Sequence, residues 1–116
     1  MINIIFKRTK TGKLRVHITG HAGYAAKGKD IVCAAVTGNC YTLAQAITDY
    51  DANGFLARDP VVRMEEGDIL LECCPKEEAQ AMISHDFYVF ARGMQLLSNT
   101  YGDYISTKFI GEGEQP

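Results

Sequence analysis

Residues 30–50 read DIVCAAVTGNCYTLAQAITDY, and this run decides the fold. Val32, Val36, Cys40, Leu43, Ile47 and Tyr50 recur three or four apart, the spacing of one helix face. Asp30 suits the N-cap, because its carboxylate can accept from the unpaired amides of the first turn. Ala34 and Ala35 are small enough to let other backbone come close. The predicted helix therefore starts at Ile31 and ends near Tyr50, and the segments on either side settle the class.

Upstream, residues 2–7 alternate, with Ile2, Ile4 and Phe6 on one side, as in a strand. Thr11-Gly12-Lys13 supplies a turn, and Leu14, Val16 and Ile18 alternate again, which predicts a β-hairpin. Downstream, Asp51-Ala52-Asn53-Gly54 breaks the helix. Residues 61–65 and 68–74 are two more strands joined through Glu66-Gly67, and Pro75 ends that run. A second helix is expected over 76–100, with a stripe of Ala79, Met82, Ile83, Phe87, Phe90, Met94, Leu97 and Tyr101. Gly102 stops it, residues 104–110 form a possible last edge strand, and 111–116 is a polar tail expected to fray. The order ββαββα, with that edge strand, predicts a two-layer α+β domain over residues 1–116. Its sheet is mainly antiparallel, and both helices pack on one face.

The chain has 116 residues, 47% hydrophobic and 22% charged, the balance of a folded domain rather than a disordered one. A net charge of -2 argues against direct nucleic-acid binding, which needs a basic surface. No apolar run is expected to span a membrane, and Met1 to Phe6 is too short for a signal sequence, with Lys7 and Arg8 following it. A cytoplasmic protein with reduced thiols is the expectation, so Cys33, Cys40, Cys73 and Cys74 are not read as a disulfide framework. Their spacing, even with His17, His21 and His85, selects no metal site, and no cofactor is expected.

Cys33 falls in the first turn of the predicted helix, where free amides and the helix dipole favour a thiolate. It is read either as a reactive thiol or as a small buried apolar residue. Gly20, Gly23 and Gly28 punctuate the connection from the second strand, and that loop can fold His21 back onto the helix start more easily than His17 or His85. Taken alone, His21 reads equally as a surface residue at a strand end. Asp30 is favoured as a cap, with a second reading as the carboxylate that orients His21. Thr37, one turn beyond Cys33, either lines the site or bonds its own backbone. Cys40 is read as packing. Residues 23–29 also fit G-x-x-x-x-G-K, but Asp30 stands where that motif needs Ser or Thr, and an antiparallel hairpin is the wrong context.

Gly20-His21-Ala22, followed by Gly28-x-Asp30-Ile31-Val32-Cys33-Ala34-Ala35-Val36-Thr37, resembles the signature of the ribosomal-processing cysteine protease family, Prp. The resemblance puts the family's catalytic histidine and cysteine on His21 and Cys33, and Thr37 where the family often has serine. It implies a cysteine endopeptidase that removes the N-terminal extension of bacterial large-subunit ribosomal protein twenty-seven and forms a homodimer. Cys33 would be the nucleophile and His21 the base, and helix-start amides would stabilise the oxyanion. Gly20, Gly23 and Gly28 would belong to a loop that gates the substrate. The rivals are a non-catalytic, ribosome-associated binding domain and a redox sensor using Cys33.

Overall fold

The structure, a computed structural model, describes residues 1–26 and 30–111. It contains β1 (Ile2–Arg8), β2 (Leu14–Thr19), α1 (Ile31–Ala52), β3 (Val61–Glu65), β4 (Asp68–Cys73), α2 (Gln80–Thr100) and β5 (Ile105–Ile110), with one 3-10 turn, Glu77–Ala79, leading into α2. The five strands form one sheet in the order β3-β4-β2-β1-β5. The β1–β2, β2–β4 and β3–β4 pairings are antiparallel, and β5 runs parallel to β1 at the edge. The mixed α+β class and the edge position of the last strand agree with the sequence reading.

The topology explains why the helices share a face. α1 joins β2 to β3, which run in one direction, and α2 joins β4 to β5, which run in the other. The two crossovers travel toward opposite edges of the sheet. Reversing both the strand direction and the sense of travel leaves handedness unchanged, so crossovers of the same hand fall on the same side. The core follows that arrangement. Ile2, Ile4, Phe6, Val16, Ile18 and Leu71 from the sheet pack with Val32, Val36, Ile47, Ile83 and Met94 from the helices. Each fully buried aliphatic side chain here contributes roughly 1.5–3 kcal/mol. Tyr50 and Asp86 tie the helices together, the phenol donating to the carboxylate, and burial raises the Tyr50 hydroxyl above its usual range.

Three expectations need correction. The second helix does not begin as α-helix at Lys76. Lys76 sits at a cap position with extended backbone and no side-chain acceptor, so the turn closes from Ala79 N to Lys76 O as 3-10. Met82 is not in the buried stripe but 45% exposed, because the core face runs through Ile83, Phe87, Ala91 and Met94, roughly 100–180° around the helix from it. Finally, α1 is, by length and composition alone, long and apolar enough to cross a membrane. Seven of its residues, from Val32 to Tyr50, instead lie buried among the core. The tail beyond Gly111 lies outside the described residues.

Candidate active site

The end of the sheet where β2 finishes is also where α1 begins, and a cleft of about 540 Å³ opens there. Ile2, Ile18 and Ile69 form an apolar floor. Around it stand the start of α1, the loop after β2 and the β3–β4 turn. Gly20, His21, Gly23, Asp30, Cys33 and Thr37 all line this one cleft. Gly28 lies outside the described residues.

Asp30 organises the helix start. Its Oδ1 accepts from Val32 N at 3.0 Å and Cys33 N at 2.9 Å, and its Oδ2 accepts from Tyr24 N at 3.1 Å. The Cys33 amide, helped by those of Tyr24 and Ala25, holds this carboxyl below its ordinary range. Both oxygens thus bond backbone, which is the work of a cap, and the Cys33 thiol adds a smaller side-chain hydrogen bond to the same carboxyl. These bonds narrow one expectation. The amides of Val32 and Cys33 are engaged by the carboxylate, and Ala34 N donates to Asp30 O at 3.0 Å, so none of these three stands ready for an oxyanion.

The donor that does face the sulfur was invisible in the sequence. Ala22 N–H points at Cys33 Sγ at 3.3 Å, an interaction that strengthens when sulfur carries negative charge. A backbone amide has no residue code, so only the folded loop could disclose it. Cys33 is partly exposed, whereas Cys40, Cys73 and Cys74 are buried, and desolvation pushes the Cys40 and Cys73 thiols up to about 12. Thr37 differs from three other helix threonines. Thr42, Thr48 and Thr100 each donate to the carbonyl one turn back. Thr37 makes no such bond among the described residues, and its side chain borders the cleft.

The loop is held at both ends. Gly20 has φ +90, and a Cβ there would stand 2.3 Å from Met1 O, so the chain start passes where a side chain would be. Further along, the Tyr24 ring meets Tyr101 and Tyr104 edge-on, with centroids 5.9 and 5.2 Å away. Across the cleft, the β3–β4 turn brings Glu66, Gly67 and Asp68 to the wall beside His21. The Asp68 carboxyl is held low by a 2.8 Å hydrogen bond from His17 and by Arg63 at 3.0 Å. The sequence marked Glu66-Gly67 as a turn, but not as a wall of the site.

Of the four cysteines, Cys33 alone is not buried, and it shares its cleft with a histidine, the pairing on which thiol hydrolases are built. The family model described as cysteine protease Prp matches residues 1–106, and the chain belongs to that family of cysteine proteases. The fold is similar to that of a ribosomal processing protease, Prp, from S. aureus in complex with a covalently linked product peptide. The TM-score is 0.71 at 22% identity, over 95% of this chain and 100% of that one. SMU.848 from Streptococcus mutans is similar at TM-score 0.68 and 25% identity, over 96% of this chain and 95% of that one. The S. aureus protease in complex with a substrate peptide follows at 0.67 and 18%, over 95% and 100%. Among curated proteins, none matches the chain in sequence.

Proposed function

We propose that this cysteine protease removes an N-terminal extension from bacterial large-subunit ribosomal protein twenty-seven, with Cys33 as nucleophile and His21 as base. The observation that carries the residue roles is the Cys33 sulfur. It is held at a capped helix start, faced by the Ala22 amide, and opens into the cleft that His21 lines. The substrate class rests on the family and on what its S. aureus neighbours process.

In the proposed reaction His21 takes the Cys33 thiol proton and sulfur attacks the scissile carbonyl carbon. Collapse of the tetrahedral species breaks the C–N bond, and the imidazolium gives its proton to the leaving amine of the shortened ribosomal protein. Water, deprotonated by His21, then attacks the thioester, releasing the extension as a carboxylic acid and restoring the thiol. The Ala22 N–H, already donating to the sulfur, stabilises the thiolate that forms before attack. Thr37 contributes its unused hydroxyl to the cleft wall. The loop carrying Gly20 and Gly23 gates the peptide, and amide exchange over residues 20–26 slows when peptide binds; equal exchange with and without it counts against the gate.

The homodimer belongs to the same reading. The outward side of the helix layer supports it, with Tyr41 61%, Val89 57% and Leu96 62% exposed. Sedimentation of the wild type as a monomer at micromolar concentration would remove that element.

The decisive experiment incubates the chain with the extended ribosomal protein and follows its mass. Wild type shortens it, Cys33→Ala does not, and His21→Ala is slower by at least about 100-fold. Cleavage that survives Cys33→Ala sinks the proposal. So does a Cys33 that iodoacetamide fails to label near neutral pH.

A further inference from the structure

A catalytic imidazole needs to be held, and the usual holder is a carboxylate hydrogen-bonded to its second nitrogen. Asp30 is committed to backbone amides, Asp68 to His17 and Arg63, and no hydrogen bond to the His21 ring is made among the described residues. An exposed ring with two free torsions and no partner would move among several rotamers.

The ring is instead set against Gly67. A Cβ on that residue would lie 2.9 Å from His21 Nε2, 3.4 Å from Cε1 and 3.7 Å from Cδ2. The same residue grips the backbone just before the histidine, since Gly20 N donates to Gly67 O at 3.1 Å. Gly67 thus controls both the chain that carries His21 and the space its ring occupies.

Backbone conformation already asks for glycine at 67, and the neighbouring ring adds a second demand. Gly67 has φ +73 in the β3–β4 turn, and Gly54 has φ +75 after α1, but a Cβ on Gly54 would meet nothing within 4 Å. The two positions make nearly the same demand on the backbone and differ in what stands beside them. One has open space and the other an imidazole.

We propose that Gly67 is the positioning residue for His21, its bare Cα forming the seat on which the imidazole rests in place of a third catalytic side chain. This rests on the reading of His21 as the base. A methyl group at 67 meets the far end of a flexible side chain, so the ring yields rather than the backbone. The fold survives and the imidazole leaves its place beside the cleft. The loss then falls on the chemical step more than on peptide binding.

The test compares Gly67→Ala, Gly67→Asn, Gly54→Ala and His21→Ala with wild type in the full chain. Cleavage of the extended ribosomal protein and the pH profile of Cys33 alkylation by iodoacetamide are both measured. Gly67→Ala lowers kcat by about 10- to 100-fold with KM little changed, and it erases the alkylation inflection that depends on His21. Gly67→Asn does the same while losing less thermal stability, because asparagine tolerates positive φ yet still carries a Cβ. Gly54→Ala loses thermal stability as Gly67→Ala does, but keeps wild-type kcat and alkylation profile. The seat is refuted if both Gly67 variants keep the wild-type profile, or lose activity only as far as Gly54→Ala does. Should His21→Ala cleave normally, the base reading itself fails, whatever happens at Gly67.

Discussion

The two helices of this protein begin in opposite ways. At the start of α1 the Asp30 carboxylate bonds two first-turn amides and a loop amide, and the first turn itself carries no acid. At the start of α2 no side chain caps the helix, the chain enters through a 3-10 turn, and Glu77 and Glu78 lie in that turn. Both arrangements offset the positive helix end, but they differ in what they fix. Nearby acids lower the electrostatic cost from many positions and specify none of them. A cap whose one oxygen takes two first-turn amides sets that turn to within a hydrogen bond's tolerance. The thiol that borders the cleft is on the turn that is fixed, and α2 places no residue there.

Breaking the cap gives the largest effect. Asp30→Ala releases Val32, Cys33 and Tyr24 together, so the sulfur and the loop lose a common anchor. Cleavage should fall by about 100-fold, the cost of displacing a reacting group by an ångström or so. Asp30→Asn is the sharper variant, since asparagine keeps one oxygen to cap Val32 N and Cys33 N, carries no charge and gives up only the acceptor for Tyr24 N. A cap role predicts that Asn keeps activity within a few-fold of wild type. A role in orienting His21 predicts a loss as deep as with alanine. Acid stability gives an independent readout. The folded Asp30 carboxyl is held below the ordinary carboxylate range by the Cys33 amide, so its contribution is complete above that range and disappears as pH falls through the lowered value. Asp30→Asn removes that dependence, and the acid limb of a Tm–pH curve becomes shallower, with Asp68 supplying what remains.

A smaller effect separates two threonines on α1. Thr48 donates to Ala44 O at 3.0 Å, while Thr37 faces the cleft without such a bond. Thr37→Val, close to isosteric, should lower kcat/KM by about 10-fold with little change in Tm, and Thr37→Ser should restore it. Thr48→Val should leave cleavage alone. Equal kinetics for both valine variants would reduce Thr37 to a bystander.

Much of this architecture was legible in the sequence because its signals are local. Ile2, Ile4 and Phe6 alternate as β1 requires, and Val61–Glu65 and Asp68–Cys73 form the second hairpin about Glu66-Gly67 as read. Cys33 was legible because a helix start has a recognisable cap, and His21 because the two-block signature selected it. What escaped is set by contacts between distant segments. The parallel pairing of β5 with β1 needs α2 to have crossed the sheet. The placing of Gly67 against His21 needs two separate hairpins to meet, and the amide that faces the Cys33 sulfur belongs to Ala22, a residue with no functional side chain. The role of Asp30 stayed open because cap and orienter call for the same residue at the same place. Three hydrogen bonds to backbone favour the cap.

If α2 starts diffusely because nothing there must be placed, then supplying the missing cap should help the fold and leave the chemistry untouched. Lys76 already has the extended backbone of a capping residue, φ -65 and ψ 157, and its amide is committed to Phe55 O at 2.9 Å. Serine is the better substitution, because aspartate would set a third acid beside Glu77 and Glu78. The hydroxyl of Lys76→Ser would accept from the Glu78 amide, the Ala79 amide being already bonded to the carbonyl of residue 76. A gain of about 0.5–1 kcal/mol, a few degrees in Tm, is the expected size. Cleavage should match wild type, because α2 lends no side chain to the cleft. A Lys76→Ser variant that altered cleavage would show that the second helix start also transmits to the site, and the contrast between the two would lose its meaning.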